Sequence, residues 1–220
     1  MNKIQLNNIT LTRKQYKEKL TIFENANLEV IGKDKIILIY GPSGSGKSTI
    51  LNIIFGILYP EYGDVYINGY NMNKINADLL SKYRSNVISL MFQNFPLVGW
   101  LTCKENILLS NKNINKDYLY QKLKQLDILN AKNTTPNKLS IGQKQRVAIL
   151  QSIMKNVNIT LLDEPTSALG HKYKFEVMKL LKEYSKKNER MIIIATHDND
   201  LKQYADVIYK LKDKKIYKSL

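Results

Sequence analysis

Apolar and polar residues alternate from Lys3 to Thr10 and again from Ile22 to Ile31, the two-residue period of half-buried β-strands. Ile36 to Tyr40 is a short run rich in β-branched residues and predicts a buried strand, with a helix expected to follow from about Ser48 to Leu58. "GDVYING" reads as a strand and turn, and Val87 to Phe92 as another buried strand. From Asn94 to about Asn156 the texture changes to helices joined by polar loops. There Leu119, Leu123, Leu126 and Leu129 recur at helical spacing, a pattern of core packing. Strands return with "NITLL" at 158–162 and "MIIIAT" at 191–196, separated by a helix from about His171 to Lys187, and the tail "DVIYKLKDKKIYKSL" reads as a small hairpin.

This β, α, β alternation with a helical insert predicts an α/β fold around a largely parallel sheet. At 220 residues and 44% apolar composition the chain can bury a sizeable core, as one α/β domain or two small ones. No internal repeat or low-complexity linker divides it, so a single domain over 1–220 is expected, with about 94–156 as a helical subdomain within it. The 34 Lys and Arg against 19 Asp and Glu give a net charge of +15. That excess suits an anionic partner such as a nucleotide, a nucleic acid or the inner face of a membrane, although the Lys, Asn, Ile and Tyr enrichment runs through the whole chain. Cys103 is the only cysteine, so no internal disulfide can form and a reducing cytoplasm fits. "MNKIQLNNIT" lacks the apolar core of a signal peptide, and runs such as "IILIY" and "IIFGIL" fall far short of the roughly 20 residues that cross a bilayer. A soluble chain is expected, unless a partner holds it at a membrane.

The chemistry begins at "GPSGSGKST", which directly follows one predicted strand and directly precedes a helix. That is the setting of a phosphate-cradling loop, formed here by Gly41, Pro42, Ser43, Gly44, Ser45, Gly46, Lys47, Ser48 and Thr49. Its backbone N–H groups would curl around a β-phosphate, Lys47 would reach the β- and γ-phosphates, and the Ser48 hydroxyl would ligate Mg²⁺. "ITLLDEP" supplies an apolar strand ending in two carboxylates: Asp163 to hold the magnesium, and Glu164 to orient or deprotonate the attacking water. Gly41, Asp163, Gln93 and His197 each fall at or just past the end of a predicted strand, and in an open α/β sheet those ends face one pocket. Gln93 there suits a sensor of Mg²⁺ and water, and His197 a γ-phosphate contact. In "LSIGQKQRV", Ser140 is a good N-cap, Gly142 allows close backbone approach, and Gln143, Lys144 and Arg146 give polar reach around a helix N-terminus. These residues alone leave open whether that end binds an anion or is an ordinary capped surface helix.

Together the residues resemble the ATP-binding subunit of ABC transporters, over essentially the whole chain. "GPSGSGKST" looks like Walker A, "FQNF" the Q-loop, "LSIGQ" the signature motif, "ITLLDEPT" Walker B, "SALG" the D-loop and "ATHD" the H-loop, in the family's order. "GPSGSGKSTILNII", "FQNFPLVGWLTCKENILL" and "YADVIYKLKDKKI" are similar to the branch serving lipoprotein release, macrolide export, cell-division signalling and antimicrobial-peptide export or resistance. The resemblance implies the ABC ATPase form of the P-loop NTPase fold, with an N-terminal antiparallel β subdomain. It implies ATP and Mg²⁺ as ligands, and Glu164, His197, Gln93 and Lys47 as the hydrolytic residues. It also implies a head-to-tail dimer in which Ser140, Gly142 and Gln143 contact the γ-phosphate bound to the other copy. A membrane permease would then hold the chain at the inner face of the cell membrane, with "FPLVGWLT", including Trp100, as a candidate docking surface.

The chain departs from the family pattern at three places. Ile141 replaces the first glycine of the signature pair, and Gly170 stands where the D-loop usually has aspartate. For the aromatic that stacks on adenine, strand register points to Arg13, while Tyr16 lies three residues on, and either could stack. The leading expectation is an ATPase powering export of a peptide, lipopeptide or hydrophobic compound; the alternative is an ATP-driven regulatory module that moves a membrane partner without transport. DNA-repair relatives carry a long coiled-coil insert and translation relatives two cassettes, neither of which is present, so no nucleic-acid partner is expected.

Overall fold

The structure is a computed structural model that describes residues 2–15, 18–32, 35–187 and 189–219. Two sheets organise it. The first is antiparallel, in the order β2 (Glu18–Gly32), β1 (Asn2–Gln15), β4 (Tyr62–Ile67) and β5 (Tyr70–Asn71). Asn68 and Gly69 join β4 to β5 with φ of 50° and 86°, the left-handed pair that an Asn-Gly hairpin turn requires.

The second sheet runs β10 (Lys215–Lys218), β9 (Val207–Lys212), β3 (Lys35–Tyr40), β8 (Met191–Thr196), β7 (Ile159–Asp163) and β6 (Ile88–Met91). All neighbours are parallel except the β9–β10 hairpin at the edge. The nearly continuous apolar character of these strands follows from burial on both faces. Ile36 and Leu38 of β3, with Ile192 and Ile194 of β8, turn toward α5 (Ile141–Met154) and α6 (His171–Lys187). Ile37, Ile39, Ile193 and Ala195 point the other way, into a core shared with the antiparallel sheet and α1 (Lys47–Ile54).

Leu119 and Leu123 of α4 (Lys116–Gln125) and Leu126 just beyond it are buried in the core that contains α5 and α6; Leu129, in a 3₁₀ turn, packs at its margin. Two helices differ from expectation. α1 stops at Ile54 rather than about Leu58, because Gly56 takes φ +77° and a Cβ there would lie 2.8 Å from Leu80 Cδ1. α2 (Ala77–Asn86) was not foreseen; it starts on the Asn76 side chain, which accepts from Leu79 N–H at 2.9 Å, and buries only Tyr83. α3 (Cys103–Leu108) completes the helical set, with a Thr102–Glu105 capping box.

Candidate functional site

Because β3, β8, β7 and β6 run parallel, their carboxyl ends open on one side, and four chemically active segments start there. Gly41 follows β3, His197 follows β8, Asp163 closes β7 and Gln93 lies two residues beyond β6. A cavity of about 450 Å³ sits above these ends, lined among others by Ser43, Gly44, Gly46, Lys47, Ser48 and Thr49. Gln93 and Glu164 line it as well.

The glycine loop has the shape a phosphate needs. Gly44 and Gly46 take φ of +78° and +97°, and a Cβ on Gly46 would fall 2.7 Å from Phe23 Cζ, so only glycine fits there. At Gly44 nothing lies within 4 Å of a built Cβ, which leaves the backbone open to a ligand. Gly41, Pro42 and Ser45 stand behind the wall. The first two hold Lys47, whose Nζ donates to the Gly41 and Pro42 carbonyls at 2.9 Å each. Ser45 Oγ is buried without a partner among the described residues.

Glu164 is 7% exposed and held from three sides. Lys47 Nζ is 3.6 Å from its Oε1, and Thr196 Oγ1 donates to its Oε2 at 3.2 Å. His197 Nδ1 lies 2.7 Å from Oε1; since the carboxylate accepts, Nδ1 carries the proton and Nε2 is free to face another group. Asp163 stands beside it with Oδ1 buried and without a partner among the described residues. Burial pushes the Asp163 carboxyl above its ordinary range, the Ser48 hydroxyl draws it down, the Glu164 charge pushes it up again and Lys47 offsets it. An unpaired carboxylate oxygen next to a serine hydroxyl, with the Gln93 amide at the rim, is an all-oxygen donor set that fits a hard divalent cation such as Mg²⁺.

Arg13, Lys14, Leu20 and Ile22 also line the cavity; Tyr16 lies outside the described residues. The signature residues Ser140, Gly142 and Gln143 do not line this cavity. Nor is the start of α5 bare. Ser140 Oγ accepts from Gln143 N–H at 3.2 Å and Gln143 Oε1 accepts from Ser140 N–H at 2.9 Å, a reciprocal capping box. The Ile141 and Gly142 N–H groups remain without intrahelical partners, as in any first turn, and Ile141 is 64% exposed beside them. Gly142 packs closely on its own chain: a Cβ there would approach Ala168 O to 3.1 Å, so that carbonyl would have to give by a few tenths of an ångström. At Gly170 a Cβ would meet nothing within 4 Å. Trp100 is 83% exposed on a loop pinned by Asn106, which accepts from Val98 N–H at 2.8 Å and donates to the Val98, Leu101 and Thr102 carbonyls.

Sequence reasoning gave no role to Thr196, although it lies inside "ATHD", nor to Lys14, Leu20 and Ile22, which carry no motif, nor to Gln145, whose side chain holds the Glu164 carbonyl at 2.8 Å.

Comparison with known proteins agrees with this geometry. The ABC transporter family profile matches residues 23–167. An uncharacterized ABC transporter ATP-binding protein of Methanocaldococcus jannaschii, MJ0796, is 38% identical over 96% of this chain and 93% of its own. The lipoprotein-releasing system ATP-binding protein LolD of Treponema denticola is 33% identical over 94% of each chain. Among solved structures, a dimeric post-hydrolysis state of the cassette MJ0796 bound to ADP and Pi superposes with a TM-score of 0.86 at 34% identity, covering 98% of both chains. The chain therefore belongs to the ABC transporter family, as one of its ATP-hydrolysing cassettes.

Proposed function

We propose that this cassette, a single domain over 1–220 with 94–156 as its helical subdomain, works as a head-to-tail pair of identical chains that powers a membrane permease. We assign export of a peptide, lipopeptide or hydrophobic compound, in keeping with the lipoprotein-releasing relative. The observation that carries the hydrolytic reading is Glu164: a buried carboxylate, bonded by His197 and Thr196, on the wall of the cavity that the glycine loop shapes.

In this reading the loop amides and Lys47 bind and orient the phosphate chain of ATP, and Glu164 takes the proton of the attacking water. His197 keeps Glu164 aimed through Nδ1–H, and as an imidazolium, with a proton on each nitrogen, it would donate from Nε2–H to the γ-phosphate. Ser48, Asp163 and Gln93 would hold Mg²⁺, which neutralises charge developing on the β- and γ-phosphoryl oxygens. Arg13 is our candidate for the adenine contact. Ser140, Gly142 and Gln143 are absent from the wall of their own chain's cavity, which supports a role against nucleotide bound to a second copy. For the permease, the candidate surface is the exposed Trp100 loop together with an adjoining cavity of about 510 Å³, lined by Met91, Phe92, Phe95, Pro96 and Leu109 around the Gln93 turn. The chain would sit at the inner face of the membrane through that contact, since no helix among the described residues is long and apolar enough to cross a bilayer.

Replacing Glu164 by Gln keeps its shape and removes its basicity. Phosphate release from Mg-ATP by purified Glu164→Gln should fall by about a hundredfold or more. Release at the wild-type rate would remove Glu164 from the role of base.

A further inference from the structure

Behind Glu164 lies a set of contacts that hydrolysis as described leaves unused. Gln145, one turn inside α5, is 0% exposed. Its Nε2 donates to the Glu164 carbonyl at 2.8 Å and to Ser167 Oγ at 3.2 Å, and its Oε1 accepts from Ala168 N–H at 3.0 Å. One buried amide thus grips the segment 164–168 that leads from β7 toward α6.

That segment needs holding. Glu164 has φ +47°, a conformation a non-glycine residue keeps only when its surroundings impose it. Its N–H donates to Ala195 O of β8 at 2.9 Å, so β8 fixes the peptide on one side of the residue and Gln145 fixes the carbonyl on the other. The close approach of Gly142 to Ala168 O presses the first turn of α5 against the same segment.

We infer that Gln145 is a positioning residue of the hydrolytic site, which sets the backbone of Glu164 and with it the aim of the carboxylate toward Lys47, Thr196 and His197. The inference rests on Glu164 as the proton acceptor. It also makes α5 and Glu164 one mechanical unit: a displacement at Ser140 and Gly142 reaches the carboxylate through a single amide.

The test is a double-mutant cycle on the full chain, with Gln145→Met, Glu164→Gln and their combination. Single-turnover phosphate release, ATP half-saturation and the melting temperature are measured for each. Gln145→Met fills the same space without the three hydrogen bonds. It should slow release at saturating Mg-ATP by about tenfold to a hundredfold, with half-saturation moving by less than about twofold. In the Glu164→Gln background the same change should cause no further loss, because Gln145 acts through that carboxylate. An amide that only supports the fold gives a multiplied loss in the double variant; that result, or an undiminished rate in Gln145→Met, overturns the inference. If Glu164→Gln alone releases phosphate at the wild-type rate, Glu164 itself is misassigned, and the two failures are thereby told apart. Should Gln145→Met not fold, Gln145→Asn takes its place: it keeps a buried, neutral amide but is one methylene shorter, which draws the donor away from the Glu164 carbonyl.

Discussion

In the proposed reading the hydrolytic chemistry falls on Glu164, a buried residue with a strained backbone, and its neighbours show how such a residue is kept. Thr196 Oγ1 donates to Glu164 Oε2 and accepts from Asp198 N–H at 3.0 Å, so the segment after β8 is tied to the carboxylate as well. Asp198 is anchored in turn by Lys174 Nζ at 2.5 Å. Partial burial pushes the Asp198 carboxyl up, but the bonds from Lys174 and from Asp200 N–H outweigh it and hold the pKa below the ordinary value. A depressed carboxylate stabilises the fold fully above the ordinary aspartate pKa of about 3.9, and that contribution is lost as pH falls through the lower folded value. Lys174→Met should therefore cost about 0.5–1 kcal/mol in urea unfolding at pH 7, with the gap to wild type closing in acid. Gly46→Ala is a harsher change, because it meets both a positive φ and Phe23 Cζ at 2.7 Å. It should destabilise by about 2 kcal/mol or more and weaken ATP binding, read by calorimetric melting and nucleotide titration.

At the scale of elements, the start of α5 is capped by its own residues. Its capping box satisfies Ser140 and Gln143 locally, so Ser140→Ala should lower stability by about 1 kcal/mol in chemical denaturation even without nucleotide. Ser140 was legible as an N-cap; Gln143 was not read as its partner, although S-x-x-Q is the spacing of a capping box. The strands were legible too, because residues buried on both faces leave long β-branched runs such as Ile36 to Ile39. So was the glycine loop, whose residue types are dictated by local backbone geometry. α2 was not, since it buries one residue and shows no apolar stripe. Gln145 was not either: a buried amide inside a helix has the same letter as a solvated one, and only the fold brings Glu164, Ser167 and Ala168 to it. Gly170 is the mildest departure in space, as a side chain there meets nothing within 4 Å. Gly170→Asp should fold with an unchanged melting temperature.

For the whole molecule, the cavity and the start of α5 are the two halves of one reading. One chain supplies the glycine loop, Gln93 and Glu164 around a common opening, while Ser140, Gly142 and Gln143 lie outside it. The similar cassette MJ0796 has been solved as a dimer bound to ADP and Pi. Two copies closing over ATP is the central claim, and sedimentation of Glu164→Gln tests it most directly, since that variant should bind nucleotide and scarcely consume it. With Mg-ATP the sedimenting mass should double and stay doubled, and with Mg-ADP it should remain that of one chain. A single-chain mass under saturating Mg-ATP would contradict it.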